Sequence, residues 1–288
     1  MFLGLQRATI LVFIFSFRHK TTGSFVCLRN NPGVDLYVLK TIHTKETTVT
    51  VIGCGDAFAS GGQLHTCFFI QAPHASLLLD CGATAYHGIK KEGINVGDID
   101  AIVISHFHGD HYGGVPFLLL EEAGKNRKKP LAIISPPTGK DRITKLLEQL
   151  YPGSNVLAKL NLLFKTYVPD GVLQADHFEI TAFPVAHTPD TLPHGVRVRT
   201  GGKTIGFSGD TAWTPILIEL ARDADLFICE CNYFQSEIKG HMNYKTLLAY
   251  DDQLLYKQLL LTHFGEEMIQ CRDQLKHPYA YDGRKIVL

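Results

Sequence analysis

The chain has 288 residues, which is enough for one large domain or two small ones. Its content of 45% hydrophobic and 19% charged residues predicts a sizeable buried core. The formal net charge is zero at pH 7, so bulk charge predicts neither a nucleic-acid coat nor attraction to an anionic membrane surface. No membrane partner is therefore predicted.

Residues 1–46 are predicted to form an N-terminal extension outside the folded domain. Their apolar run at residues 9–17 is too short to span a bilayer. No acidic residue precedes Asp35, which is typical of an organellar targeting segment, and a misassigned start is the alternative. Seven cysteines, most of them within apolar runs, predict reduced thiols and hence, without targeting, a cytoplasmic protein.

Residues 47–288 are predicted to form one domain in which apolar, β-branched runs alternate with helical patterns. The predicted strands cover residues 48–52, 66–71, 76–79, 101–105, 131–135, 162–168, 178–184, 196–199, 203–207, 226–229 and 259–262. The predicted helices cover residues 115–122, 140–150, 215–222 and 244–256. This order predicts the α/β (α+β) class, with helices covering a pair of mixed sheets.

A dense group of ligand-type side chains follows the strand predicted at residues 101–105. His106, His108, Asp110 and His111 read H-x-H-x-D-H, and Gly109 within the motif and Gly113-Gly114 after it break the chain into a turn. Neutral imidazole nitrogens and carboxylate oxygens are usual ligands of zinc and similar divalent metals. The loop also lies at the end of a strand, where open α/β sheets place their active sites. We therefore predict a metal site here.

Four further strand ends carry ligand-type residues, namely Asp80, His187, Asp210 and His263. With the loop at residues 106–111 they supply five histidines and three carboxylates. One tetrahedral zinc needs about four ligands, so this set is large enough for two metals. Hydrolases with two metals hold their ions roughly 3.5–4 Å apart, with a water or hydroxide between them.

The order of these motifs resembles the metallo-β-lactamase superfamily over about residues 48–288. The resemblance implies an αβ/βα sandwich of two mixed β-sheets flanked by helices, and two Zn²⁺ ions, with Mn²⁺ or Fe²⁺ as alternatives. It implies that the first metal is bound by His106, His108 and His187. It implies that the second is bound by Asp110, His111 and His263, that Asp210 bridges both, and that Asp80 orients ligands from outside.

A second resemblance, to the ribonuclease Z-like branch, is carried by His241 before the last predicted helix. In that branch a histidine at this place assists phosphodiester cleavage, and Glu230 matches its acidic partner. A carboxylate raises the pKa of a neighbouring imidazole, which suits a general acid. The resemblance thus implies that Asp110 orients a metal-bridging hydroxide and that His241 and Glu230 act as the acid couple. A solvent-facing His241 at a helix entry remains the alternative.

The sequence also departs from ribonuclease Z. The long Gly/Pro-rich arm that grips tRNA is missing, because only a short hairpin joins His187 and Asp210. A small-molecule or nucleotide phosphodiester is therefore the expected substrate, with tRNA less favoured. The alternatives are a thioester or lactone hydrolase on the same fold and a non-catalytic, metal-stabilised binding module. An oxygen-using iron enzyme is disfavoured, because the usual diiron flavoprotein pattern has a glutamate in the metal loop, whereas this loop reads His106-Phe107-His108. The partner prediction includes a homodimer.

Overall fold

The computed structural model describes residues 11–13, 25–28, 36–38, 46–169 and 171–288. Its backbone divides into two compact units, Met1–Thr44 and Lys45–Leu288. In the first unit the described residues are three short antiparallel strands, β1 (Leu11–Phe13), β2 (Phe25–Leu28) and β3 (Leu36–Val38). The side chains of the predicted extension lie outside the described residues, and the boundary at residue 47 stays a prediction.

The second unit is built on two mixed β-sheets, the first with seven strands. In spatial order these are β16 (Lys285–Val287), β4 (Thr48–Gly53), β5 (Cys67–Gln71), β6 (Ser76–Leu79), β7 (Ala101–Val103), β8 (Leu131–Ser135) and β9 (Leu162–Thr166). Pairing is antiparallel from β16 to β6 and parallel from β6 to β9.

The second sheet has six strands. In spatial order these are β10 (Leu173–Ala175), β11 (Phe178–Pro184), β12 (His194–Thr200), β13 (Lys203–Phe207), β14 (Leu226–Glu230) and β15 (Leu259–Thr262). Pairing is antiparallel up to β13 and parallel from β13 to β15. Parallel strands from both sheets therefore end at loops that can meet at one edge of the sandwich.

Seven α-helices are described in this unit. They are α1 (Ala85–Lys91), α2 (Gly109–Tyr112), α3 (Val115–Gly124), α4 (Gly139–Leu150), α5 (Ile216–Ala221), α6 (Tyr244–Tyr250) and α7 (Glu266–Cys271). Among the residues that the structure describes, no helix is long and apolar enough to cross a bilayer.

The apolar residues form three layers of core. Along β6, Leu77 and Leu79 face the core between the two sheets, while Leu78 faces the helices outside. A strand buried on both faces reads as a continuous apolar run, which explains the sequence of β6. A third layer packs the second sheet against α5, α6 and α7. The arrangement confirms the predicted sandwich of two mixed sheets between outer helices.

The helix predicted over residues 244–256 is too long, because α6 ends at Tyr250 and a short 3₁₀ turn, Asp251–Gln253, follows. The carboxylate of Asp251 accepts hydrogen bonds from the Tyr256 hydroxyl at 2.6 Å and from Nε2 of His277 at 3.0 Å. These tertiary partners favour the turn over another helical turn, since aspartate competes poorly within a helix. The short helices α1, α2 and α7 were not predicted.

Candidate functional site

The carboxyl ends of the parallel strands carry the polar residues of the site. Asp80 follows β6, the loop at residues 106–111 follows β7, and Asp210 follows β13 by three residues. Glu230 is the last residue of β14, and His263 comes directly after β15. Parallel strands present their carboxyl ends at the same edge, so these side chains are brought together by the topology of both sheets.

One group of ligand atoms, here called the first cluster, consists of His106, His108, His187 and Asp210. Nδ1 of His108 lies 3.1 Å from Nε2 of His106 and 3.1 Å from Nε2 of His187. Oδ2 of Asp210 lies 3.8 Å and 3.9 Å from the same two Nε2 atoms. Three imidazole nitrogens and one carboxylate oxygen thus converge on one point.

The second cluster consists of Asp110, His111, Asp210 and His263, all of them buried. Nε2 of His111 lies 3.2 Å from Oδ1 of Asp210 and 3.3 Å from Oδ2 of Asp110. Nε2 of His263 lies 3.3 Å from Oδ2 of each aspartate. Asp210 therefore contributes to both clusters, and the structure brings all seven predicted ligands together.

Asp80 lies outside both clusters and is fully buried. Its carboxylate accepts hydrogen bonds from the Ser105 amide and hydroxyl and from Nδ1 of His111, each at 2.7 Å. Because the Ser105 hydroxyl donates to Asp80, its oxygen can accept a bond from Nδ1 of His106, 3.0 Å away. These bonds occupy Nδ1 of one ring in each cluster, and Nε2 of both rings faces the other ligand atoms.

Two loops hold the remaining buried rings. Nδ1 of His187 donates to the carbonyl oxygen of Gly240 at 2.7 Å, and the Asn232 side-chain amide lies 3.0 Å from Nδ1 of His263. Gly240 has a φ of +86°, and a Cβ there would lie 3.0 Å from Nδ1 of His187, so a side chain would strain the backbone and crowd the His187 ring. Our sequence interpretation missed both partners as groups that orient the ligands.

His241 and Glu230 form a hydrogen-bonded couple beside the clusters. Nδ1 of His241 donates to Oε1 of Glu230. The other carboxylate oxygen accepts from the amides of Thr211 at 2.6 Å and Met242 at 3.3 Å. Burial alone would lower the pKa of His241, but the bond to Glu230 and its charge outweigh burial and raise the pKa.

The charges of the site suit a bound cation. Burial would raise the pKa of Asp210, but the surrounding histidines hold it well below its usual range. Burial would lower the pKa of His111, but Asp210 and Asp110 raise it instead. The lowered pKa favours the ionised form of Asp210, whose buried negative charge a divalent metal can balance. Several imidazole nitrogens lie 3.1–3.4 Å apart. This spacing fits the same conclusion, because such nitrogens can coordinate one metal ion together.

The clusters open into a cleft of about 860 Å³. Its floor includes His108, Asp110, Asp210, His241 and His263, while the other three ligands lie behind them. Carboxylates of the wall and rim belong to Asp56, Glu266 and Glu267, the last two on α7, and aromatic rings to Phe58 and Tyr233. The described lining contains no lysine or arginine. Trp213 is not among the residues that line this cleft. Its ring stacks on that of Tyr250, with ring centres 4.0 Å apart.

Comparisons with known proteins agree with this geometry. Residues 47–279 match the family described as "Anti-Pycsar protein Apyc1". The probable metallo-hydrolase YhfI of Bacillus subtilis is 29% identical over 219 residues, covering 75% of this chain and 86% of the relative. A ribonuclease Z of Lachnoclostridium phytofermentans is 25% identical over 279 residues, covering 79% and 90%.

Solved structures show the same fold. The crystal structure of YhfI, described as a metallo-β-lactamase fold protein, superposes with a TM-score of 0.69 at 23% identity, covering 85% of this chain and 100% of that one. The short form of human tRNase Z superposes with a TM-score of 0.68 at 22% identity, covering 83% and 98%. The chain therefore has the metallo-β-lactamase fold, as its motifs predicted.

Proposed function

The chain belongs to the family described as anti-Pycsar protein Apyc1 and is a metal-dependent hydrolase, and we propose that it hydrolyses phosphodiesters at a centre of two zinc ions. Manganese or iron is the alternative metal. The ligands in this proposal are His106, His108 and His187 for one ion, Asp110, His111 and His263 for the other, and Asp210 for both. When bound, two such ions lower the pKa of a water between them and polarise a phosphoryl oxygen.

The couple of His241 and Glu230 is the observation that carries the proposal. Glu230 accepts a hydrogen bond from Nδ1 of His241. Nε2 of His241 therefore remains available to a substrate in the cleft that His241 lines. The ring centre of His241 lies 4.8 Å from that of His187 and 5.9 Å from that of His263. An acid placed beside both clusters can protonate the oxygen that leaves a phosphodiester.

Asp110 is proposed to orient the attacking water, because it both belongs to the second cluster and lines the cleft. Its carboxylate is held ionised despite burial, since His111 and His263 lower its pKa. An ionised oxygen at this place accepts a hydrogen bond from water. Asp80 has no access to the cleft in this proposal and acts by orienting His106 and His111.

The cleft lining favours a small substrate over a polynucleotide. Nucleic-acid binding depends on lysine and arginine side chains that neutralise successive phosphates. The described lining offers none, and Glu266 and Glu267 place negative charge at the rim. A substrate with one phosphodiester, a small molecule or a nucleotide, avoids most of this repulsion. This supports the small phosphodiester over tRNA.

Metal analysis and a substrate panel test the proposal together. Protein purified with ample zinc and without chelator should contain about two equivalents of divalent metal. It should hydrolyse bis-p-nitrophenyl phosphate and a panel of small phosphodiesters faster than a thioester or a lactone. Faster thioester or lactone hydrolysis would favour that alternative. Two bound metals with no hydrolysis at all would favour the binding module.

A further inference from the structure

The first cluster contains a ring that is not fixed by an outer partner. His106 and His187 each have a hydrogen bond on the nitrogen that faces away from the cluster. None of the hydrogen bonds formed by the described residues involves Nε2 of His108. An outer partner normally sets the orientation of a ligating imidazole. The backbone of His108 is held by the amides of His111 and Tyr112, which donate to its carbonyl oxygen at 3.0 Å and 3.1 Å. The orientation of its ring depends on the residues packed around this loop.

Phe107 is the neighbour that is held most firmly. Its side chain is only 5% exposed, and its amide donates to the carbonyl oxygen of Thr191 at 3.0 Å. The ring of Tyr112 meets it edge-on, with ring centres 5.4 Å apart and planes at 85°. The guanidinium carbon of Arg142 lies 4.7 Å from the centre of the Phe107 ring. Phe107 is thus held by groups from three separate segments.

Arg142 connects these segments through one planar group. It stands in the first turn of α4, where its Nε donates to the Thr138 hydroxyl at 3.1 Å. Its Nη2 donates to the carbonyl oxygen of Asp190 at 2.9 Å. Asp190 follows His187 by three residues, in the same loop as Thr191. One guanidinium therefore joins α4, the metal loop and the loop that follows His187.

We propose that Arg142 is a positioning residue for the first cluster. By clamping Phe107 against the loop at residues 188–192, it holds His108 and His187 at the separation that one ion requires. Lysine cannot replace it, because an ammonium lacks the planar fork that stacks on a ring while donating in two other directions. The inference rests on the proposed two-metal centre.

Zinc titration in competition with a chromophoric chelator tests the role of Arg142. The wild-type protein should show two dissociation constants. In Arg142→Lys and Arg142→Ala, the dissociation constant of the ion at the first cluster should rise about 10–100-fold. This range is typical when an outer partner of a metal ligand is lost. The other constant should stay unchanged, because the contacts that Arg142 makes within the described part of the chain are to Phe107, Thr138 and Asp190, not to Asp110, His111 or His263. With Co²⁺ in place of zinc, the visible spectrum of only one of the two ions should change.

Lys145→Ala is the matched control, because it removes an exposed positive charge from the same helix. It should leave both constants unchanged. Phe107→Leu should reproduce the effect of Arg142→Lys, and the double variant should be no worse than either single one, because both remove the same contact. The melting temperature of the chelated proteins separates this role from general stability, since Arg142→Lys should unfold within about 4 °C of wild type.

Three results would overturn the inference. They are unchanged constants in both Arg142 variants, an equal rise of both constants, and the same rise in Lys145→Ala. A wild-type protein that binds fewer than two ions would instead refute the two-metal centre, and with it the role of Arg142. The wild-type titration therefore distinguishes failure of the inference from failure of the function on which it rests.

Discussion

The two clusters share Asp210 but differ in charge and burial. The second cluster adds Asp110 to two histidines, and every member is buried. The first has three imidazoles and no carboxylate besides Asp210, and His108 is partly exposed to the cleft. Removing a buried ion from two carboxylates costs more electrostatically than removing one from a single carboxylate. We therefore expect the second cluster to retain its proposed ion more tightly than the first, while members of both clusters line the cleft.

Substitution of Asp210, which both clusters share, should weaken metal binding at both clusters and have the largest effect on activity. Asp210→Ala removes an oxygen from both clusters and leaves His111 and His263 with one carboxylate between them. Metal content should fall at both positions, and activity should fall by more than the roughly 10⁴-fold that loss of general-acid catalysis can cause. Elemental analysis and steady-state kinetics check this. Retention of two ions would show that Asp210 does not bridge.

His241→Ala should separate chemistry from metal binding, since His241 is not one of the seven proposed ligands. Both kcat and kcat/KM should fall about 10²–10⁴-fold on an alkyl phosphodiester, with metal content unchanged. The loss should shrink for p-nitrophenyl esters, whose leaving group needs no proton. His87→Ala, at an exposed histidine on α1, is the control. Full activity of His241→Ala on the alkyl ester would exclude the general-acid role.

Asp80→Asn should weaken both clusters at once. The carboxylate of Asp80 accepts from His111 directly and is linked to His106 through the Ser105 hydroxyl. Asparagine replaces one carboxylate oxygen with an NH₂ group, which donates hydrogen bonds instead of accepting them. Each zinc affinity should fall about 10–100-fold, as measured by competition with a chelator. Ser105→Ala is the matched comparison, because it removes the hydroxyl that links Asp80 to His106 and leaves the direct bond between His111 and Asp80 in place. It should affect the first cluster alone, and an equal effect on both ions would contradict this assignment.

Glu230→Gln should have the smallest effect and should appear mainly in the pH dependence. The bond and charge of Glu230 raise the pKa of His241 against the effect of burial, so the neutral amide should lower that pKa. A general acid is active only while protonated, so activity at high pH should be lost at a lower pH than in wild type. A kcat profile against pH measures this. An unshifted high-pH limb would show that His241 does not govern it.

The sandwich and the convergence of the seven candidate side chains were predictable, because each of them lies beside a buried apolar strand or within a recognisable loop. Asp80 directly after β6 and His263 directly after β15 are examples, since a polar residue at such a place interrupts an obvious pattern. Their roles as ligands or orienting groups remain predictions. The sequence pattern does not show which residues distant in the chain come into contact in the folded protein.

Gly240 and Arg142 illustrate the part that could not be predicted. The carbonyl group that holds His187 is present in every residue, so nothing in the residue type of Gly240 marks it as a partner. Arg142 lies on a helix whose exposed face reads as an ordinary charged surface. Its contact with Phe107 exists only because α4 packs beside the metal loop. The early end of α6 has the same origin, since the partners of Asp251 include a histidine 26 residues away.

The bond from His187 to the carbonyl of Gly240 also couples the motions of two parts of the site. Gly240 joins the exposed segment at residues 235–239 to His241, whose amide donates to the carbonyl oxygen of Ile238 at 3.2 Å. Movement of this segment that shifts His241 must break the bond at Gly240 or displace His187. Metal binding should therefore slow hydrogen exchange at the His241 amide, although none of the seven proposed ligands lies in that segment. The loop that carries His241 would then become less mobile when the ions bind, although none of its residues is a proposed ligand.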